Sequence, residues 1–307
     1  MGRTLRAGVI GAGVFGGYHA RQYANRPDVA FAGVYDPDAA ASAAVVAAAG
    51  GRAFESLEAL LAEADVVSIT SPAMFHADQG LAAVAAGRHV YVEKPIATDV
   101  RAAERLAVAA GRAGVVLANG HQERVVFQAM GLLDAPATPL RVEAVRHGPP
   151  SPRSRDVSAV LDLMIHDIDL VLRVSGSEPV AAEAEGERAG DGVWDSVRAE
   201  VSFESGLVAL FDVSRQEPAR RRMLKLVYAS GEVEVDFVAR TFRNTTPFDL
   251  NADFASTPAA TDPLGASLSN FLAAVRGETD RPLVTAAEAI AALDLTLAVE
   301  MALGNGG

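Results

Sequence analysis

The sequence contains no cysteine, which excludes disulfides and thiolate chemistry and agrees with a cytoplasmic setting. Although 50% of its residues are apolar, it has no run approaching the roughly 20 apolar residues that a membrane helix needs. Met1 to Ile10 passes through Arg3 and Arg6 straight into an apolar strand pattern. No separate apolar region with a small-residue cleavage site precedes it, so no signal peptide is expected. Basic residues are in deficit. With 27 Lys and Arg against 39 Asp and Glu, the formal charge is −12. That argues against a nucleic-acid or anionic-membrane partner, because attraction to phosphates needs a basic face. A small anionic ligand stays open, since a few local donors hold one. What is present, over 307 residues, suffices for two domains with cores of their own.

The first 120 residues alternate short apolar runs with helical patterns. Strands are expected at Leu5–Ile10, Val29–Tyr35, Val66–Ile69, His89–Val92 and Val115–Ala118. Helices are expected at Val14–Asn25, Asp38–Ala49, Leu57–Ala62, Ala73–Ala86 and Asp99–Arg112. Ser56 and Thr98 suit helix caps, and Pro72 suits a first helical turn. Strands apolar on both faces and separated by helices predict a doubly wound parallel sheet, a Rossmann domain over 1–120.

From residue 121 the texture changes. A helix at Gln122–Leu133, a strand at Leu140–His147 and an amphipathic helix at Ser158–Val174 lead into strand-like runs. These lie at Val180–Arg188, Val193–Phe203, Leu207–Arg215, Met223–Tyr228 and Glu232–Val238, with Gly206 and Gly231 at turns. Arg243–Pro263 reads as irregular, and helices are expected at Leu264–Arg276 and Ala286–Leu303. The whole of 121–307 is therefore expected to form an α/β domain with a largely antiparallel open sheet.

Gly11-Ala12-Gly13-Val14-Phe15-Gly16 follows the first strand and opens the first helix. Gly11 permits the tight turn, Gly13 lets the backbone approach a pyrophosphate, and Gly16 lets helix and strand pack closely. The helix N-terminus offers N–H donors and a positive dipole end to the phosphates. Asp36 ends the second strand, where a carboxylate accepts from a ribose 2′-OH and repels a 2′-phosphate. That favours NAD over NADP.

Further motifs resemble the Gfo/Idh/MocA (glucose–fructose oxidoreductase / inositol dehydrogenase) family. They are Ser71-Pro72 with His76, Glu93-Lys94-Pro95, and Asp162-x-x-x-His166-Asp167. The resemblance implies a Rossmann domain followed by an α/β domain whose sheet mediates a homodimer or homotetramer. It implies cofactor contacts from Ser71, Pro72, His76, Glu93 and Lys94, and catalysis by Lys94, Asp162 and His166. The chemistry is coherent. An ammonium at Lys94 stabilises alkoxide character as hydride leaves carbon. Asp162 and His166, four apart on one helix, share a face, so the imidazole takes the hydroxyl proton while the carboxylate orients it. Asp169 falls on roughly the same face; Asp167 points elsewhere, towards packing or a cap. His19 is as well explained by the core as by the cofactor site, Trp194 is read as core or interface rather than a substrate platform, and scattered histidines give no metal set.

Gly120-His121-Gln122-Glu123-Arg124 and Arg153-Ser154-Arg155 resemble the branch of nucleotide-sugar 3-dehydrogenases. That implies a substrate such as UDP-N-acetylglucosamine, held by Lys94, His121, Arg124, Arg153, Arg155, Asp162 and His166, with Arg153 and Arg155 suited as forked donors to a diphosphate. Where that branch continues Phe-Asn-Pro, this chain has Val125-Val126-Phe127. A free sugar or polyol dehydrogenase, and an NAD-using glycosidase of the same fold, are the alternatives.

Overall fold

The computed structural model describes residues 4–150, 157–190 and 192–305. The chain divides into two compact units: Met1–Gln122 with Asp262–Ile290, and Glu123–Thr261 with Ala291–Gly307.

The first unit holds β1 (Leu5–Ile10), β2 (Val29–Tyr35), β3 (Arg52–Ala53), β4 (Val66–Ile69), β5 (His89–Val92) and β6 (Leu117–Asn119). They form one parallel sheet in the order β3-β2-β1-β4-β5-β6. Between them lie α1 (Val14–Ala24), α2 (Ala39–Ala49), α3 (Leu57–Glu63), α4 (His76–Ala85) and α5 (Val100–Ala113). Val9, Ile10, Val66, Val67, Ile69, Val90 and Val92 are all fully buried, as strands covered on both faces must be. Ser56 caps α3 by accepting from the Ala59 N–H. Thr98 does not cap α5: Asp99, one residue on, accepts from Ala102 instead. The sixth strand starts two residues later than expected, because the Val115 N–H still closes α5 onto the Ala110 carbonyl.

The expected boundary at 120 falls close to the observed one, but the second domain is not the unbroken stretch 121–307. Asp262–Ile290 belongs to the first unit. Within it α9 (Pro263–Val275) places Leu268, Phe271 and Leu272 in the same core as Tyr23 and Tyr91. Each such side chain contributes about 1.5–3 kcal/mol by burial. Polar contacts fix the same packing: Arg26 donates to Ser269, Gln22 to Asp262, and Arg276 to the Asp28 carbonyl.

The second unit carries α6 (Glu123–Met130), α7 (Ile165–Ser175), α8 (Pro258–Thr261) and a sheet of β7 (Arg141–His147), β8 (Pro179–Arg188), β9 (Trp194–Phe203), β10 (Val208–Ser214), β11 (Arg221–Tyr228), β12 (Gly231–Asp236) and β13 (Thr241–Asn244). The order is β13-β12-β11-β7-β10-β9-β8. Only β7 and β10 pair in parallel. Alternation sets the two faces: Val142, Ala144, Val197, Ala199, Leu224 and Leu226 are buried, while Arg198 and Glu200 between them are exposed. The stretch expected to be irregular, Arg243–Pro263, instead contains the end of β13, a 3₁₀ turn at Phe254–Ser256 and α8. Elements this short leave no periodicity to read. Helix α10 (Ala286–Asn305) closes the chain. No helix among the described residues is long and apolar enough to cross a membrane.

The segment before α7 is not α-helical. Val160–Met164 forms a π-helical turn that runs directly into α7. The single helix expected over Ser158–Val174 therefore changes its winding between Asp162 and His166.

Candidate functional site

In the first unit the site is built where the strand order reverses, between the carboxyl ends of β1 and β4. Gly11 adopts φ +98°, and a Cβ there would lie 2.7 Å from the Ser71 nitrogen. A Cβ on Gly16 would lie 2.0 Å from the Gly11 carbonyl oxygen. Gly13 differs: a Cβ there would meet nothing within 4 Å. It precedes α1, whose N-terminus has no side-chain cap, so the first N–H groups of Val14, Phe15 and Gly16 are offered outward. This open, donor-lined turn fits the diphosphate of a dinucleotide. The Asp36 carboxylate accepts from the Ala12 N–H at 2.7 Å and from Asp38 N–H at 2.9 Å, which sets it against the glycine turn.

Lys94 follows β5 and is partly exposed. Two buried histidines hold its neighbours. The ring nitrogens of His76 meet the Pro95 and Ser71 carbonyls at 2.7 and 2.8 Å, tying the turn after Lys94 to the loop after β4. Burial lowers the His76 pKa, against the pull of those two carbonyls. The Ser71 hydroxyl donates to Gln79 at 2.6 Å, and Pro72 precedes a 3₁₀ turn. On the other side, His19 Nε2 lies 2.9 Å from Glu93 Oε1 while its Nδ1 meets Ser68 Oγ. Burial pushes the Glu93 carboxyl up, but His19 and Lys94 outweigh it and the net pKa is lowered. Glu93 and His76 thus hold the lysine turn. His121, just past β6, is buried at 1% exposure.

In the second unit His166 opens α7, and its Nδ1–H donates to Glu123 Oε2 at 2.8 Å. Glu123 Oε1 accepts from Arg146 NH1 at 2.9 Å. The same guanidinium clamps Asp167 through Nε and NH2 at 3.0 and 2.8 Å. Arg146 is 2% exposed. Burial raises the Glu123 carboxyl, yet His166 and Arg146 overcome it and hold the group well below the usual range. Asp167 and Glu123 in turn raise Arg146 against its own burial.

Three expectations are corrected here. Asp162 is not the acceptor of the His166 Nδ1–H. It lies 3.8 Å from Arg215 NH1, a guanidinium held by Asp195 through Nε at 2.8 Å. A π turn bonds i to i+5, so a spacing of four no longer stacks two side chains. Arg124 is not available to a substrate either: it is bidentate to Asp169 at 2.8 Å twice, with both side chains buried. Asp169, expected on the face of His166, serves that pair. Arg153 and Arg155 lie outside the described residues.

Glu123, Arg146 and Arg215 went unassigned in the sequence. A signal for Arg146 exists, because it occupies an inward position of β7 after Val142 and Ala144, and a buried arginine demands carboxylate partners.

Residues 5–121 match the family model described as "Oxidoreductase family, NAD-binding Rossmann fold", and residues 140–234 match "GFO/IDH/MocA C-terminal domain". The chain belongs to the GFO/IDH/MocA oxidoreductase family. Within that family it is 38% identical over 281 residues to UDP-N-acetylglucosamine 3-dehydrogenase of Acidithiobacillus ferrooxidans, covering 88% of each chain. A solved structure of that enzyme superposes with a TM-score of 0.91 at 34% identity, over 98% of both chains. Inositol 2-dehydrogenase of Cereibacter sphaeroides is 33% identical over 59% of this chain and 57% of its own. The WlbA dehydrogenase of Bordetella pertussis, solved with NADH and UDP-GlcNAcA, shares the fold at a TM-score of 0.87 and 22% identity, covering 99% and 97% of the two chains.

Proposed function

We propose that this member of the family is an NAD-dependent dehydrogenase acting on a secondary alcohol of a nucleotide sugar, UDP-N-acetylglucosamine at C3 in the first instance. The observation that carries the chemistry is the His166–Glu123 pair at 2.8 Å. A carboxylate only accepts hydrogen bonds, so the imidazole proton resides on Nδ1 and Nε2 carries the lone pair of a general base. Lys94 is the cation that stabilises the developing alkoxide. The turn Gly11–Gly16 and the uncapped start of α1 receive the diphosphate of NAD, and Asp36 its ribose. NAD bound there would supply the hydride acceptor, and His166 would take the hydroxyl proton as the secondary alcohol becomes a ketone. In the reductive direction His166 is the acid.

The substrate assignment is supported by the 38% identity to UDP-N-acetylglucosamine 3-dehydrogenase across 88% of the chain. A free polyol is the second reading, supported by the inositol 2-dehydrogenase match and by the sequestration of Arg124. Absorbance of reduced nicotinamide, followed with NAD across UDP-sugars, free sugars and polyols with a ketone trap present, separates the two. NADH formed only with a UDP-N-acetylhexosamine supports the proposal. NADH formed only with free sugars or polyols overturns the nucleotide-sugar part. A released aglycone without net NADH would mark the glycosidase chemistry instead.

A further inference from the structure

We propose, building on that reading of His166, that Glu123 is the residue that sets the tautomer and basicity of the imidazole, locked in place by Arg146, while Asp162 serves Arg215. Glu123 is a positioning residue: it acts on the substrate only through the ring.

Four contacts define the device. Glu123 starts α6 and sends one oxygen to His166 and the other to Arg146, at 2.8 and 2.9 Å. Arg146 comes from β7 and is already bidentate to Asp167, the residue after His166. Successive helical residues point about 100° apart, so His166 and Asp167 diverge from one turn, and the guanidinium bridges from Asp167 to Glu123, the partner of the ring. The carboxylate cannot swing towards solvent without giving up its bond to the buried Arg146 guanidinium. Its orientation, and with it the ring's, is thereby fixed. With the nearest anion on the Nδ1 side, protonation at Nε2 produces an imidazolium that is compensated at once.

The charged groups facing this pair among the described residues come from each packed element. They are Glu123 of α6, Arg146 of β7, Asp167 of α7 itself, and Arg222 of β11, which acts on Glu123 electrostatically. Asp162, on the π turn, faces Arg215. Of these, the Glu123 carboxylate hydrogen-bonds the ring directly, so its removal is expected to shift the response of His166 to pH.

The proton balance is simple. In oxidation the hydride from the carbinol carbon would go to the bound NAD, the O–H proton would pass to His166 Nε2, and the Nδ1–H bond to Glu123 would be retained throughout. Nothing needs to leave Glu123, which stays ionised.

The test is nuclear magnetic resonance of protein carrying nitrogen-15 in its six histidines, with His166 assigned by its absence in His166→Asn. The wild-type ring should show the Nδ1–H tautomer in its neutral form. Its titration midpoint should fall by about one pH unit or more in Glu123→Gln and move less in Asp162→Asn. The acid limb of kcat/KM should follow the same order. An Nε2–H tautomer in the wild type, or a larger displacement in Asp162→Asn than in Glu123→Gln, overturns the proposal. Should Glu123→Gln not fold, the wild-type tautomer and the Asp162→Asn midpoint still decide. The resonance readout needs no substrate, so failure to find a sugar that reduces NAD tells against the proposed function and leaves Glu123 to be judged separately.

Discussion

Nδ1 of His166 and Oε2 of Glu123 meet at 2.8 Å although 43 positions separate them in the chain. The pair joins the starts of α6 and α7, two elements that a reading by local spacing treats independently. Under the proposed function the pair bears on the general base itself. If His166 is the base and Lys94 the cation that stabilises the alkoxide, His166→Ala and Lys94→Ala should each lower kcat by about 100- to 10,000-fold. NADH affinity, followed by fluorescence titration, should stay near wild type. Retention of most of the rate in either variant removes that residue from the chemistry.

The glycine turn offers a test that separates binding from folding. A Cβ at Gly13 meets no atom within 4 Å, so Gly13→Ala should keep its melting temperature within a few degrees while weakening NAD binding. Gly16→Ala puts its Cβ 2.0 Å from the Gly11 carbonyl oxygen. The backbone must shift, and the melting temperature should fall with the affinity. Calorimetry with and without NAD reads both effects. Unchanged NAD affinity in Gly13→Ala would mean that the open space over the turn is not the diphosphate site.

Much of this architecture was legible from pattern. The six-residue glycine motif, the apolar strands β1, β2, β4 and β5, and the Ser56 cap of α3 are local features, and the structure repeats them nearly residue for residue. Six strands of the second sheet, β7 to β12, were legible for the same reason, since alternation is local too; the short β13 was not. What pattern could not supply was contact across the chain. Arg124 was expected among the substrate contacts from the resemblance, yet Asp169 sequesters it from 45 positions away. Asp162 looked like the partner of His166 because helical spacing was assumed; the π turn at Val160–Met164 breaks that assumption. The return of α9 to the first unit depends on Leu268, Phe271 and Leu272 matching the core around Tyr23 and Tyr91, which no window on the sequence contains.

Arg124 and Asp169 are exposed by 2% and 1%, so breaking the pair should be far costlier than deleting it. Arg124→Ala leaves a buried carboxylate without its cation and should destabilise the protein by about 3–5 kcal/mol. The double variant Arg124→Met, Asp169→Leu removes both charges and should recover most of that loss. Urea unfolding of the three proteins measures it. In the double variant the substrate KM should remain within a few-fold of wild type. A tenfold rise in KM with stability restored would return Arg124 to the substrate site.

Acid should weaken the first unit before its carboxylates titrate. His76 and His89 are both lowered from 6.5, burial being the largest cause in each. The His89 Nδ1 lone pair also accepts the Val116 N–H at 2.9 Å, a bond that protonation of that nitrogen removes. Below pH 6.5 the unfolded chain binds protons that the folded one refuses. Stability is therefore complete above that pH and falls as pH drops from about 7 towards 5. Glu93 and Glu123 are lowered from 4.5, so their contributions are lost only at more acid pH. His76→Gln and His89→Gln should each start less stable at pH 7.5, yet show a shallower decline in melting temperature between pH 7 and 5. A wild-type profile flat over that window would mean that neither ring is kept neutral by the fold. A decline left equally steep in both variants would assign the acid sensitivity to other groups.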